Sequence, residues 1–188
     1  VESNIYNNRK QKLPIVKDIE ITSIEQKAFA YCSSLKEINI PINIEILEKE
    51  TFANCTSLLN VKLPSSLKSM KEGVFYNCHN IRHANIPNEI KNIPAGTFSK
   101  CPNLERVILH GKITSIQEYA FAGCTMLDSI VIPINCTRIG NRAFAYCESL
   151  KEISFPAGVE ILAISVINDN SRYQKALFNN CFNESHLR

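Results

Sequence analysis

Residues 28–41 read A-F-A-Y-C-S-S-L-K-E-I-N-I-P, and this stretch decides the fold because its pattern returns along the chain. Cysteine recurs every 23 residues, at Cys32, Cys55, Cys78, Cys101, Cys124 and Cys147. Two further cysteines, Cys136 and Cys181, lie off this grid. Self-similarity at a fixed period of roughly 20–50 residues is the signature of a repeat architecture.

Apolar residues keep the same period. Three positions before each grid cysteine stands a phenylalanine: Phe29, Phe52, Phe75, Phe98, Phe121 and Phe144. An aliphatic residue stands three positions after each cysteine, and a further apolar pair and a proline follow it in most units. The unit is therefore L-x-x-I-x-I-P-x-x-I-x-x-I-x-x-x-A/T-F-x-x-C-x-x, with His110 as the single exception at the proline position.

Each unit predicts a short strand followed by a turn. The L-x-x-I-x-I segment alternates and is rich in β-branched residues, which favours a strand, and the proline ends it because it cannot donate a ladder hydrogen bond. The polar stretch before A/T-F-x-x-C has room for one helical or 3₁₀ turn. A single unit cannot bury its own apolar side, so we expect the units to stack into a solenoid with a continuous core.

Composition supports one folded domain and excludes several classes. The chain has 188 residues, 45% of them hydrophobic, and a formal net charge of +3. It is too apolar to be disordered, and its charge is too small to predict a nucleic-acid surface. The sequence holds no apolar run of about 18 residues, so we expect no membrane span in it.

The repeat resembles the BspA-like class of leucine-rich repeats. The residues that carry the resemblance are the L-x-x-I-x-I-P and A-F-x-x-C-x-x-L segments, from about Ile15 to Leu162. The resemblance implies an α/β fold, a right-handed solenoid or horseshoe with a parallel sheet on its concave face and 3₁₀ or helical turns on its convex side. It also implies a surface protein of bacteria or protists that contacts a host or a neighbouring cell.

We expect a single domain over residues 1–188, with a polar lead at 1–14, regular repeats at 15–162 and an irregular end at 163–188. In that end the F-x-x-C motif returns eleven residues late, at Phe178 and Cys181, which indicates an insertion. Because the first residue is Val1 and neither end shows a capping unit, the sequence is interpreted as a piece of a longer protein.

The grid cysteines are predicted to be a column of buried free thiols beside a phenylalanine core. Equivalent side chains in a stack point the same way, about 4.8 Å apart, whereas a disulfide requires Cβ atoms that converge. A zinc site is less favoured because the sequence has no C-x-x-C pair. We therefore expect no metal and no cofactor.

The sequence shows no catalytic motif, and the predicted chemistry is binding without catalysis. Alternation along each strand predicts which residues point out of the concave sheet. The predicted binding residues are Lys62, His83, Asn85, Arg106, Ile108, Ser129 and Val131. Ile108 and Val131 should be neighbours beside Arg106, which suits a protein contact, although β-branched residues also favour strands wherever they lie.

Two functions remain open at this point. The first is a protein-binding or adhesion module on the cell surface, whose partner is a protein of a host, a neighbouring cell or the matrix. The alternative is an intracellular scaffold that uses the same sheet, since reduced thiols also suit the cytoplasm. The oligomeric state does not follow from the sequence.

Overall fold

The computed structural model describes residues 21–154 and 156, and the backbone of 160–161. Within these residues the chain winds into a solenoid built from short parallel strands. Each coil contributes one strand of three residues and one of two residues. The predicted insertion, the polar lead and Cys181 lie outside the described residues.

The three-residue strands form where L-x-x-I-x-I predicts them. They are β2 (Glu37–Asn39), β4 (Asn60–Lys62), β6 (His83–Asn85), β8 (Arg106–Ile108), β10 (Ser129–Val131) and β12 (Glu152–Ser154). They pair two by two in parallel, β2 with β4, β6 with β8 and β10 with β12, and each residue faces its equivalent 23 positions away. The pairs lie side by side along the solenoid.

A second parallel ladder comes from the I-x-x-I part of the repeat, which the sequence pattern marks only as an apolar pair. Its strands are β1 (Ser23–Ile24), β3 (Ile46–Leu47), β5 (Ser69–Met70), β7 (Asn92–Ile93), β9 (Ser115–Ile116), β11 (Arg138–Ile139) and β13 (Glu160–Ile161). The final pairing places Ile161, not Leu162, opposite Ile139. The paired residues of β11 and β13 are therefore 22 positions apart, one fewer than the 23-residue period.

The segment before each cysteine is a series of turns, and because the described residues contain no helix, the expected helical or 3₁₀ turn is not confirmed. The reason is visible in the backbone hydrogen bonds. Phe52 and Asn54 donate to Val74 and Tyr76 in the next coil, whereas Ala53 and Cys55 donate three residues back along their own coil. A helix would need every N–H to bond within its own segment, so this alternation replaces it with a third inter-coil ladder.

Two columns of left-handed residues make this alternation possible, one at each end of the turn segment. They are Lys27, Glu50, Gly73, Gly96, Tyr119 and Arg142, and Tyr31, Asn54, Asn77, Lys100, Gly123 and Tyr146. Positive φ costs an ordinary residue about 1–2 kcal/mol and interrupts a right-handed helix. Hydrogen bonds to the next coil offset that cost, which explains why residues such as Lys27 and Tyr119 are tolerated here.

The core is a stack of like residues from successive coils. The phenylalanine rings lie parallel, with neighbouring centroids 5.3–5.7 Å apart from Phe29 to Phe144. The middle residue of each three-residue strand faces inward, and aliphatic residues of both ladders fill the remaining space. The predicted phenylalanine core is confirmed by this packing.

Candidate functional site

The cysteine column lies beside the phenylalanine rings as buried free thiols from Cys55 to Cys147. The prediction is wrong for Cys32, whose side chain is exposed in the first described coil. Cys78 Sγ donates to the carbonyl of Phe52 at 3.1 Å, and Cys101 Sγ donates to Phe75 at 3.2 Å. The off-grid Cys136 is also buried, as expected from its aliphatic position.

Burial raises the pKa of the thiols along this column. It raises the pKa of Cys55 to about 11 and that of Cys101 to about 12, and the pKa of Cys124 is likewise raised. A nucleophilic cysteine needs an exposed, electropositive setting that lowers its pKa. These thiols are protonated donors to backbone carbonyls, and their role is packing.

We expect alkaline pH to destabilise the fold through this column. The pKa of an unfolded cysteine is about 8.5, so below that pH the protonated thiols contribute their full stabilisation of the folded state. This contribution is lost as the pH rises toward the folded pKa values of about 11 for Cys55 and about 12 for Cys101. Urea titrations at pH 8 and at about pH 10.5 should show lower stability at the higher pH.

Two measurements distinguish the effect of thiol ionisation on stability from the effect of other groups that titrate at alkaline pH. Cys101→Ala should lose less stability between the two pH values than the unchanged chain does. At pH 8, a thiol reagent should label Cys32 at once and Cys101 only after denaturant is added. Labelling of both at one rate in the folded protein would contradict the burial of the column.

All seven predicted binding residues are exposed on one surface. We call it the ladder face: the first and third residues of the six three-residue strands, every one of which is exposed. An open groove of ≈ 810 Å³ lies on it, lined by strands β2, β4, β6 and β8. The sequence pattern predicted that these residues are exposed, but it could not show this groove.

The groove brings five of the seven predicted residues together. Its lining includes Lys62, His83, Asn85, Arg106 and Ile108. The register places His83 opposite Arg106 and Asn85 opposite Ile108.

The other two predicted residues, Ser129 and Val131, lie outside the groove lining. They belong to β10, which packs beside β8. Ile108 is 47% exposed and Val131 is 70% exposed.

His110, which stands where the repeat has proline, contacts this site. Its Nε2 lies 3.1 Å from Oδ1 of Asn85. Asn85 is exposed on the face, whereas His110 is half-buried at the end of the neighbouring strand. The break in the proline pattern was the sequence signal for this contact.

Charges outside the groove are paired between coils at the repeat spacing. The pairs are Lys27–Glu50, Lys49–Glu72, Lys68–Glu45, Arg82–Glu105 and Lys112–Glu89. Hydrogen bonding to Lys112, together with its charge, lowers the pKa of Glu89. Opposite charges 23 residues apart are the signal in the sequence from which these pairs could have been predicted.

In the groove, by contrast, neither Lys62 nor Arg106 forms an ion pair with any described residue. Glu37 is the one carboxylate among the residues that line it. Nowhere in the described part of the chain do three His, Cys, Asp or Glu side chains form a group that could hold a metal ion. The same part contains no helix that is long and apolar enough to cross a membrane.

Stacked coils of this length, with parallel ladders and a column of inward apolar residues, define a leucine-rich repeat protein. The chain belongs to the family of the BspA type leucine rich repeat region, whose model matches six copies over residues 22–151 and 115–187. No curated protein matches the chain.

Among solved structures, a leucine rich cell surface protein from Faecalibacterium prausnitzii A2-165 is 33% identical, with a TM-score of 0.66 over 71% of this chain. The match covers 36% of that protein, so the chain spans about a third of its length. The leucine rich repeat protein of T. pallidum is 22% identical, with a TM-score of 0.54, over 69% of this chain and 72% of that one. The pneumococcal vaccine antigen PcpA is 15% identical, with a TM-score of 0.52, over 78% of this chain and 51% of that one. The last two matches show the fold alone.

Proposed function

We propose that this chain is a protein-binding module of a cell-surface protein and that the ladder face is its binding surface. The observation that carries the proposal is the pair Ile108 and Val131, exposed on adjacent strands beside an unpaired Arg106. Arginine is one of the residue types enriched in binding hot spots, and apolar surface beside it is removed from water when a partner covers it. The cell-surface assignment draws on the F. prausnitzii relative, which is named as a cell surface protein.

Binding is favoured over catalysis by the chemistry of the site. The groove holds amides, cations and an isoleucine, and its two acid–base groups, Glu37 on β2 and His83 on β6, lie two strands apart. The described thiols from Cys55 to Cys147 are buried in the core. Leucine-rich repeats are scaffolds that present a rigid surface, and ladders hydrogen-bonded between coils keep such a surface in place. Preformed surfaces bind with little loss of conformational entropy.

Replacing Ile108 and Val131 together by glutamate should abolish partner capture while the fold is retained. Both side chains point away from the core, so the change places two carboxylates on the surface and removes its apolar contact. The measurement is a pull-down with the immobilised chain, followed by comparison of the proteins that each variant retains. A double variant with Ile42→Glu and Tyr146→Glu, two exposed apolar residues away from the ladder face, is the matched control.

Unchanged capture by the Ile108 and Val131 variant would place the binding surface elsewhere. Circular dichroism must show the same unfolding transition for both double variants. Labelling of intact cells with a membrane-impermeant reagent tests the compartment, because only a surface protein is labelled before lysis. Absence of label on intact cells would favour the intracellular scaffold.

A further inference from the structure

The groove on the ladder face has an uncompensated positive charge. Lys62 and Arg106 line it without an ion pair among the described residues, and His83 lies between them in chain order. Glu37 is on β2, next to the strand of Lys62 but three strands from Arg106 on β8, and at about 4.8 Å a strand its separation from Arg106 is about 14 Å. At that distance in water a carboxylate neutralises little of the arginine's charge.

An apolar contact adjoins this charge within the same groove. Arg106 and Ile108 are the first and third residues of β8, so their side chains point to the same side about 7 Å apart. Val131 extends the apolar surface onto β10. A ligand that reaches Arg106 therefore also covers Ile108.

Amide side chains complete the groove. Asn39, Asn60 and Asn85 are exposed there, each able to donate to a carbonyl and to accept from an N–H. Asn85 is held by His110, which reduces the rotamer entropy that a bound ligand would have to remove. A phosphate can only accept hydrogen bonds from these amides, whereas a peptide main chain both accepts from them and donates to them.

We propose that the groove binds an extended acidic segment of a partner protein, with separate carboxylates against Lys62 and Arg106 and an apolar side chain on Ile108 and Val131. This inference rests on the proposed function and names the partner chemistry of the same surface. It is carried by charge complementarity: the cations Lys62 and Arg106 outnumber the single carboxylate Glu37, which lies far from Arg106, and an apolar contact adjoins Arg106 in the same groove.

The test uses fluorescent peptides about nine residues long and measures anisotropy with the complete chain. One set carries two glutamates and a leucine, a second set has lysines for the glutamates, and a third has serine for the leucine. The acidic set with leucine should bind about tenfold or more tightly than either other set, and its affinity should fall as salt is raised.

Charge reversal in the groove should weaken binding of that set by about tenfold. Arg106→Glu and Lys62→Glu are the test variants. Arg138→Glu and Lys91→Glu are the matched controls, since both residues are exposed on or beside strands of the second ladder. The controls should change the affinity by less than about twofold.

Equal binding of the three sets, a preference for lysine peptides, or no peptide binding would overturn the inference. Binding to vesicles that contain phosphatidylserine is measured separately. Vesicle binding that is lost with Arg106→Glu, in a chain that shows no preference for acidic peptides, would also overturn the inference. If neutral or basic peptides bind instead, and Ile108→Glu abolishes that binding, the inference fails but the proposed function stands. If the variant with glutamate at both Ile108 and Val131 captures partners as the unchanged chain does, the proposed function itself is overturned.

Discussion

Replacing Phe98 by alanine is expected to lower the free energy of unfolding by about 3–5 kcal/mol. The ring is 1% exposed and lies between two others, with its centroid 5.4 Å from that of Phe75 and 5.7 Å from that of Phe121. Its removal deletes two stacking contacts and leaves a cavity that the rigid coils cannot close. Urea unfolding followed by circular dichroism measures the loss.

The position of Phe98 in the stack adds a second expected result. In a solenoid each coil contacts only its neighbours, so a cavity in a central coil weakens the coupling between the two halves. The unfolding transition of Phe98→Ala should therefore broaden, with a lower m-value than that of the unchanged chain.

Phe29→Ala is the matched control for Phe98→Ala. Phe29 is half-buried and stacks on one described ring, Phe52, at 5.3 Å. Phe29→Ala should lower the free energy of unfolding by about half as much as Phe98→Ala, because only one described stacking contact is lost and the site is partly open to water. Equal losses at both positions, or a loss below about 1 kcal/mol at Phe98, would contradict the assigned packing.

Gly140→Ala should destabilise the fold by about 3 kcal/mol. A Cβ at this position would lie 2.5 Å from the backbone nitrogen of Glu118 and 2.7 Å from the carbonyl carbon of Gln117. These are backbone atoms of the neighbouring coil, which is held close because the N–H of Gly140 donates to the carbonyl of Ile116 at 2.7 Å. The methyl group must break this contact or push the coils apart.

Two other glycines calibrate the Gly140 result. A methyl group at Gly111 would meet no atom within 4 Å, and the residue has no positive φ, so alanine there should leave stability nearly unchanged. Gly96 has φ +62, and a Cβ there would make only an ordinary van der Waals contact with Ser99 at 3.9 Å, so alanine should cost about 1 kcal/mol through backbone strain. Melting temperatures should fall in the order Gly111, Gly96, Gly140, and a Gly140 variant as stable as the Gly111 variant would contradict the close approach.

Much of the candidate site could be predicted because a strand has a period of two. Once Val107 is known to face the core, Arg106 and Ile108 must face outward, and all seven predicted residues are indeed exposed. The groove could not be predicted in this way. Its shape depends on how four coils lie against one another, and no pattern within one repeat describes that arrangement.

The cysteine and glycine positions show the same division. The 23-residue spacing predicted the buried thiols from Cys55 to Cys147, but the exposure of Cys32 depends on its place in the first described coil. Gly140 is not a repeat position for glycine, since Gln117 stands one period before it. Only the packing of two backbones shows why a side chain cannot fit there.

The sequence by itself determined the repeat, the inward phenylalanine and cysteine columns and the outward residues of the three-residue strands. These follow from the apolar pattern that recurs in each unit of the sequence. The tertiary structure alone decided the second ladder, the replacement of a helical turn by alternating turns, and the unpaired cations of the groove. Each of these depends on hydrogen bonds or ion pairs between residues about one coil apart, and a residue's type does not specify the partner that the next coil presents.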